Sequence, residues 1–189
     1  MKPENRKEEI VITAAKLFKE KGYSAVTMRD IAKAMGIKAA SLYNHISSKQ
    51  EILKNIIISL AEQFTHGMSL IKNSNSNSLE KLKQIVILHV DITSRNTFGM
   101  ASLNNDWMHL EEQLEHYLKL RHNYEDDLRN IINQGINSSE ITNSNPDIML
   151  FSMLSTLRSL YLWVPKKEDL NPKEFANQLS KVFINGIKK

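Results

Sequence analysis

The sequence predicts an all-α protein: a three-helix N-terminal helix-turn-helix domain over residues 1–48, then a larger helical domain over residues 49–189, about nine helices in all. Three observations carry this expectation. Val, Ile and aromatic residues recur at spacings of three and four rather than two. No hairpin signal, an Asn-Gly or Asp-Gly pair between two alternating runs, appears. Helix start and stop signals punctuate the chain at helical lengths.

The first helix is predicted from about Pro3 to Lys21, with Ile10, Ala14, Leu17 and Phe18 as its apolar stripe and Gly22 as its left-handed cap. The second starts after Thr27, whose hydroxyl can cap the Asp30 N–H, and stops at Gly36. The third is very short. In it Leu42 and Ile46 face inward, four residues apart, with Ser41, Tyr43, Asn44 and His45 left outside. A helix of this length does not hold itself together in water, so the first two must support it. The fourth opens with Ser48-x-x-Glu51, a capping box, and its stripe runs through Ile52, Leu53, Ile56, Ile57, Leu60, Phe64, Met68 and Ile71.

The run Asn73-Ser74-Asn75-Ser76-Asn77-Ser78 has nothing to bury and reads as a surface loop. A fifth helix covers about Leu79 to Thr93, with Leu82, Ile85, Val86, His89 and Ile92 on one side. Asn96 to Ser102 is expected to be irregular. A short helix over Leu103–Leu110 follows, then a long one to about Gln134 capped by Gly135. Asn145-Pro146 and Asn171-Pro172 each place Asn as N-cap and Pro at the first helical position, and Glu174 completes a box at the second. The last two helices carry broad apolar faces: Ile148, Phe151, Leu154, Leu157 and Tyr161, then Phe175, Leu179, Val182, Phe183 and Ile187.

Composition narrows the chemistry. There is no Cys, which excludes disulfides, thiolate nucleophiles and Cys-based zinc sites. The charged N-terminus lacks the apolar stretch of a signal peptide, and apolar runs such as Ile85–Leu88 are too short to span a bilayer, so a cytoplasmic protein with no membrane partner is expected. The net charge of +4 is uneven: residues 1–50 hold 10 Lys and Arg against 5 Asp and Glu, leaving 15 against 16 for the rest. A basic first quarter suggests a nucleic-acid surface at that end.

Helices two and three, joined by Met35-Gly36-Ile37-Lys38, have the spacing of a helix-turn-helix. The DNA major groove admits one α-helix, whose N-terminal residues touch base edges. Here those are Lys38, Ala39, Ala40 and Ser41, with Asn44 one turn on. Lys38 suits guanine and Asn44 suits adenine. Thr27, Arg29, Tyr43, His45 and Lys49 are placed for phosphates. A structural helical hairpin with a polar outer face is the plainer reading of the same residues. The whole set together favours DNA.

Thr27-x-Arg29-x-Ile31-Ala32-x-x-x-Gly36-Ile37, followed by Leu42-Tyr43-x-His45-Ile46-x-Ser48-Lys49-x-x-Ile52-Leu53, closely resembles the DNA-binding domain of the tetracycline-repressor (TetR) family over about residues 8–55. Lys38 stands where that family usually has a Ser capping the third helix, and Ile46 replaces the usual Phe. The resemblance implies a dimeric transcriptional regulator, a repressor released from a palindromic operator by a small effector. It also implies an effector-binding second domain that makes a homodimer through its last two helices.

Candidate effector contacts are His89, Phe98, Met100, Trp107, Met108, Tyr124, Phe151, Met153 and Trp163, apolar walls with a few polar groups. The stretch from Arg121 to Ile141 also resembles an acyl-CoA-responsive subgroup, which implies an acyl-CoA or fatty-acid derivative as effector, with Arg121 and Arg129 as possible cations. His109-x-x-Glu112-x-x-x-His116 puts three metal-ligating types near one helix face, yet a solvated face is the better reading, so no metal, cofactor or catalytic residue is assigned. Two other functions fit less well: a DNA-binding regulator controlled by a protein partner, and a helical metalloenzyme, for which no nucleophile–base pair or phosphate loop exists.

Overall fold

A computed structural model describes residues 5–167 and 170–189 and shows nine α-helices among them. They are α1 (Arg6–Lys21), α2 (Met28–Ala34), α3 (Ala39–Tyr43), α4 (Lys49–Lys72), α5 (Ser78–Arg95), α6 (Thr97–Asn105), α7 (Leu114–Asn137), α8 (Pro146–Trp163) and α9 (Pro172–Ile187). The chain divides into two compact units, Met1–Ala61 with Asn96–Leu118, and Glu62–Arg95 with Lys119–Lys189. Both α4 and α7 therefore contribute residues to each unit.

In the first unit α1 is capped by Asn5, whose side chain accepts the Glu8 N–H. The expected start at Pro3 lies outside the described residues. Ile10, Ala14, Ala15 and Phe18 are buried on α1, whereas Leu17 is half-buried, so Ala15 takes the inner place expected of Leu17. Thr27 and Asp30 form a reciprocal capping box at the start of α2. Ile31, Ala32, Leu42 and Ile46 are buried as expected, and Met35 only half so.

Gly36 turns the chain with φ +66°, a conformation an L side chain rarely adopts. The Ile37 N–H then donates to Ala32 O at 3.0 Å, which closes the turn between α2 and α3. At the start of α4, Ser48 Oγ accepts the Glu51 N–H at 3.0 Å, and no return bond from the Ser48 N–H to Glu51 appears among the described residues. The Glu51 carboxylate instead accepts from the N–H and hydroxyl of Ser47 and pairs with Lys7 at 2.7 Å.

The stretch expected to be irregular is α6. Asn96 caps it by accepting the Gly99 N–H, and Gly99, Met100, Ala101 and Ser102 are buried. At 9 residues the helix shows too few turns for an apolar period to be read, and Asn96 passed for a loop residue. No helix spans Leu103–Leu110: α6 ends at Asn105, and 3-10 turns occupy Trp107–His109 and Glu111–Gln113. Those turns separate His109 and Glu112 from His116 on α7, so the shared helix face of that trio does not exist.

In the second unit the eight stripe residues of α4, from Ile52 to Ile71, are buried along the whole helix, Phe64, Met68 and Ile71 in this unit. Gly135 does not cap α7, which runs on to Asn137. A Cβ there would strike the Ile141 side chain and come within 2.8 Å of Ser78 Cβ. Gly135 is thus a point of close approach, and Thr142 N–H to Ile187 O at 2.8 Å ties the following turn to the C-terminus. Asn145 and Asn171 cap α8 and α9 as expected. Glu174 bonds Gln178 at 3.0 Å, and no return bond to the Asn171 N–H appears among the described residues.

One expectation about membranes changes. Pro146–Lys166 is long and apolar enough by composition to span a bilayer. Seven α8 residues nonetheless pack into the unit, including Met149, Leu150, Met153 and Leu157.

Candidate nucleic-acid interface

The α3 helix has 5 residues and is held from behind by Leu42 and, just past its end, Ile46, at 0% and 2% exposure. Its front carries Lys38, Ala40, Ser41, Tyr43, Asn44 and His45, all exposed, with Ala39 half-buried. Lys38 is the N-cap residue, and its ammonium, which can only donate, cannot cap the helix N–H groups; the residue is exposed. Tyr43 is 53% exposed, a large ring on the outer face with no role in the core. Arg29 is exposed on α2 and pairs with no carboxylate among the described residues.

Two of the proposed phosphate donors have other work. Thr27 donates its hydroxyl proton to the Asp30 carboxylate at 2.6 Å while accepting the Asp30 N–H, and this bonding holds the Asp30 carboxyl below its ordinary range. Lys49 donates to Tyr23 O and Val26 O, both at 2.9 Å, and its ammonium sits 4.2 Å from the Tyr23 ring centroid. It fastens the first residue of α4 to the loop between α1 and α2.

That fastening belongs to a clasp the sequence reading missed. The Tyr23 ring stacks on His109 with centroids 5.2 Å apart and meets Phe18 edge-on at 5.1 Å. Gln50 Nε2 donates to His109 O and to Glu111 Oε1, each at 2.8 Å. Burial, helped by the nearby charges of Glu111 and Asp106, pushes the Tyr23 phenol up to about 12. Burial likewise raises the Asp106 carboxyl, which accepts from the Tyr23 backbone N–H. No local signal marks the meeting with His109, which lies 86 positions from Tyr23 and 59 from Gln50.

The effector candidates are distributed over the two units. Phe98, Met100, Trp107 and Met108 lie in the first. Met100 is core, Trp107 is half-buried beside Tyr117, Phe98 lies under Lys19, and Met108 is exposed. His89, Tyr124, Phe151, Met153 and Trp163 lie in the second. Two of these five meet through a hydrogen bond: His89 Nε2 and the Tyr124 hydroxyl are 2.8 Å apart. Met153 is buried, Phe151 is 71% exposed, and Trp163 stacks on Phe175.

Burial, with the Arg158 guanidinium adding to it, depresses the His89 imidazole to about 3, and burial raises the Tyr124 phenol. Arg121 bonds Glu125 at 3.1 Å, Arg158 bonds the same carboxylate oxygen, and Arg129 pairs with Asp126 and Asp147. Burial works to raise the Glu125 carboxyl, and the two guanidiniums outweigh it and hold it low. Arg158 was missed from sequence, although it is the sole Lys or Arg within the apolar stretch of α8.

A short helix pinned behind, polar in front and preceded by a glycine turn in a basic region defines a helix-turn-helix DNA-binding protein. Residues 10–56 match the model for bacterial regulatory proteins of the tetR family, and residues 75–187 match the tetracyclin repressor-like C-terminal domain. The chain belongs to the TetR family of transcriptional regulators.

Over 100 residues it is 33% identical to the biofilm operon icaADBC negative transcriptional regulator IcaR of Staphylococcus aureus strain Newman, covering 52% of this chain and 54% of that one. The chain thus spans about half the length of the curated relatives it matches. Its fold matches the ketosteroid regulator KstR2 of Mycobacterium tuberculosis with a TM-score of 0.92 at 22% identity, covering 100% and 97% of the two chains. It also matches AibR in complex with isovaleryl coenzyme A and operator DNA, with a TM-score of 0.77 at 22% identity over 94% and 97%.

Proposed function

We propose that the chain is a homodimeric repressor that reads a palindromic operator through α3 and leaves it when a small, largely apolar effector binds. The observation that carries the reading is the front of α3. Lys38, Ala40, Ser41, Tyr43, Asn44 and His45 are exposed together on a helix too short to stand alone. Lys38 and Asn44 read bases, and Arg29, Tyr43 and His45 hold phosphates. Residues 1–48 are the reading head, and residues 49–189 bind effector and dimerise.

The dimer contact is assigned to α8 and α9, where Ile148, Phe151, Leu162 and Val182 are exposed apolar side chains. A second copy covering them also accounts for the apolar character of α8 without a membrane. As in the rest of the family, the working place is the cytoplasm. An effector shifts the equilibrium only by its difference in affinity for the bound and released states. AibR, crystallised with an acyl-CoA and its operator, supports an effector of the acyl-CoA or fatty-acid type.

Selection from random duplex DNA tests the reading. The expected product is an inverted repeat whose half-sites lie about one helical turn apart, ~34 Å, bound with an affinity that falls steeply with salt. Enrichment of no sequence, or a flat salt dependence, overturns it.

A further inference from the structure

Among the described residues, the second unit buries a polar pair that its own fold leaves incompletely bonded. His89 sits on the inner face of α5 among Leu82, Ile85, Val86 and Ile92, and is 4% exposed. Its Nε2 bonds the Tyr124 hydroxyl, its ring packs on Phe64 with centroids 4.6 Å apart, and its Nδ1 has no hydrogen-bond partner among the described residues. A buried polar atom left this way destabilises the fold, because its desolvation goes uncompensated. A Leu at the same place on the α5 stripe would incur no such cost, so stability does not explain the imidazole. Violations of this kind collect at functional sites.

The bonding pattern says what is wanted. If Tyr124 O–H donates to Nε2, Nδ1 carries the proton and one donor stays open. If Nε2–H donates to Tyr124, the phenol proton and the Nδ1 lone pair are both left unmet. The first arrangement leaves fewer unmet groups and offers an N–H to an oxygen acceptor. Arg158, on the neighbouring helix of the same unit, exerts its positive charge on both rings while its guanidinium bonds the Glu125 carboxylate beside Tyr124. Burial keeps the imidazole itself neutral, so it donates one hydrogen bond without adding a charge. Met68, Met149 and Met153, buried in this unit, are unbranched thioethers that yield easily to an apolar tail.

We propose that His89 Nδ1 and Tyr124 form the head-group site for the effector, and that the effector is an apolar organic acid whose carboxylate accepts from Nδ1–H. This inference rests on the effector reading above. The test uses the full-length protein with decanoate as probe and decanol and decylamine as controls, followed by calorimetry and by ¹⁵N resonances of labelled histidine. Decanoate is expected to bind and to shift the His89 Nδ1 resonance, decylamine to bind at least tenfold more weakly, and His89→Leu to weaken decanoate at least tenfold while sparing decanol. His89→Gln, which keeps an N–H donor, is expected to recover part of the loss.

Equal binding of decanoate and decylamine, binding of none of the three, or an unmoved Nδ1 resonance overturns the inference. The resonance decides the matter in the wild-type protein even if a variant fails to fold. The two readings separate cleanly. Decanoate bound at His89 with no change in operator affinity overturns the effector reading and leaves the head-group site standing. Operator release by other compounds, without decanoate binding, does the reverse.

Discussion

The two units of this protein are arranged in opposite ways. The first, at α3, turns polar groups outward over a closed core: behind α3 lie Leu42 and Ile46, and in front stand Lys38, Ser41, Tyr43, Asn44 and His45. The second hides polar groups, the His89–Tyr124 pair, and leaves Phe151 and Val182 at 71% and 70% exposure. A unit that hides polar groups and shows apolar ones is incomplete by itself. The front of α3 offers polar groups to a partner, while the second unit, on the reading proposed above, offers an apolar face to a second copy and an unmet donor to a ligand.

Several substitutions sharpen or break that contrast, and the largest effect is expected at the exposed apolar face. Phe151→Glu with Val182→Glu should convert the dimer to monomer in sedimentation and reduce operator affinity roughly 100-fold or more, because the two heads no longer act together. A double variant that still sediments as a dimer would show that α8 and α9 do not form the contact.

Gly135→Ala comes next. Its Cβ meets Ile141 and Ser78, so the variant should lose about 1–3 kcal/mol in thermal or denaturant unfolding. Alanine's better helix propensity, ~1 kcal/mol, works the other way. Stabilisation would mean that the Ile141 side chain gives way freely.

Tyr43→Ala acts on the other unit. It should weaken operator binding roughly tenfold, equivalent to one charge-assisted hydrogen bond, and leave the melting temperature unchanged. Lys49→Ala should instead lower the melting temperature as well, since its ammonium bonds Tyr23 O and Val26 O. If the two variants behave alike, the clasp around Tyr23 contributes nothing.

The smallest effect belongs to Glu51. Hydrogen bonds from Lys7 and Ser47 hold its carboxyl at about 2. A carboxylate lowered in the folded state stabilises fully above its ordinary range, and that stability is lost as pH falls toward the lowered value. Glu51→Gln should therefore cost below ~1 kcal/mol at pH 7, with the gap from wild type closing between the ordinary carboxylate range and about pH 2. A gap that persists in acid would put the effect on packing.

Much of this was legible in the chain alone. Helix type and order follow from apolar spacing, and the caps at Thr27, Asn145 and Asn171 follow from side chains that bond the backbone two or three residues on. The α3 face was legible for the same reason: Leu42 and Ile46 are one helical turn apart, so their outward neighbours are determined. All of these are local relations, written within a few residues.

Tertiary structure decided the rest. It drew Lys49 into the loop carbonyls near Tyr23, filled the space beside Gly135 with Ile141, and gathered His89, Tyr124, Glu125 and Arg158 from three helices. Each of these is a contact between side chains far apart in sequence. A one-dimensional period reports which face of a helix is buried, and contains nothing about which distant residue that face will meet.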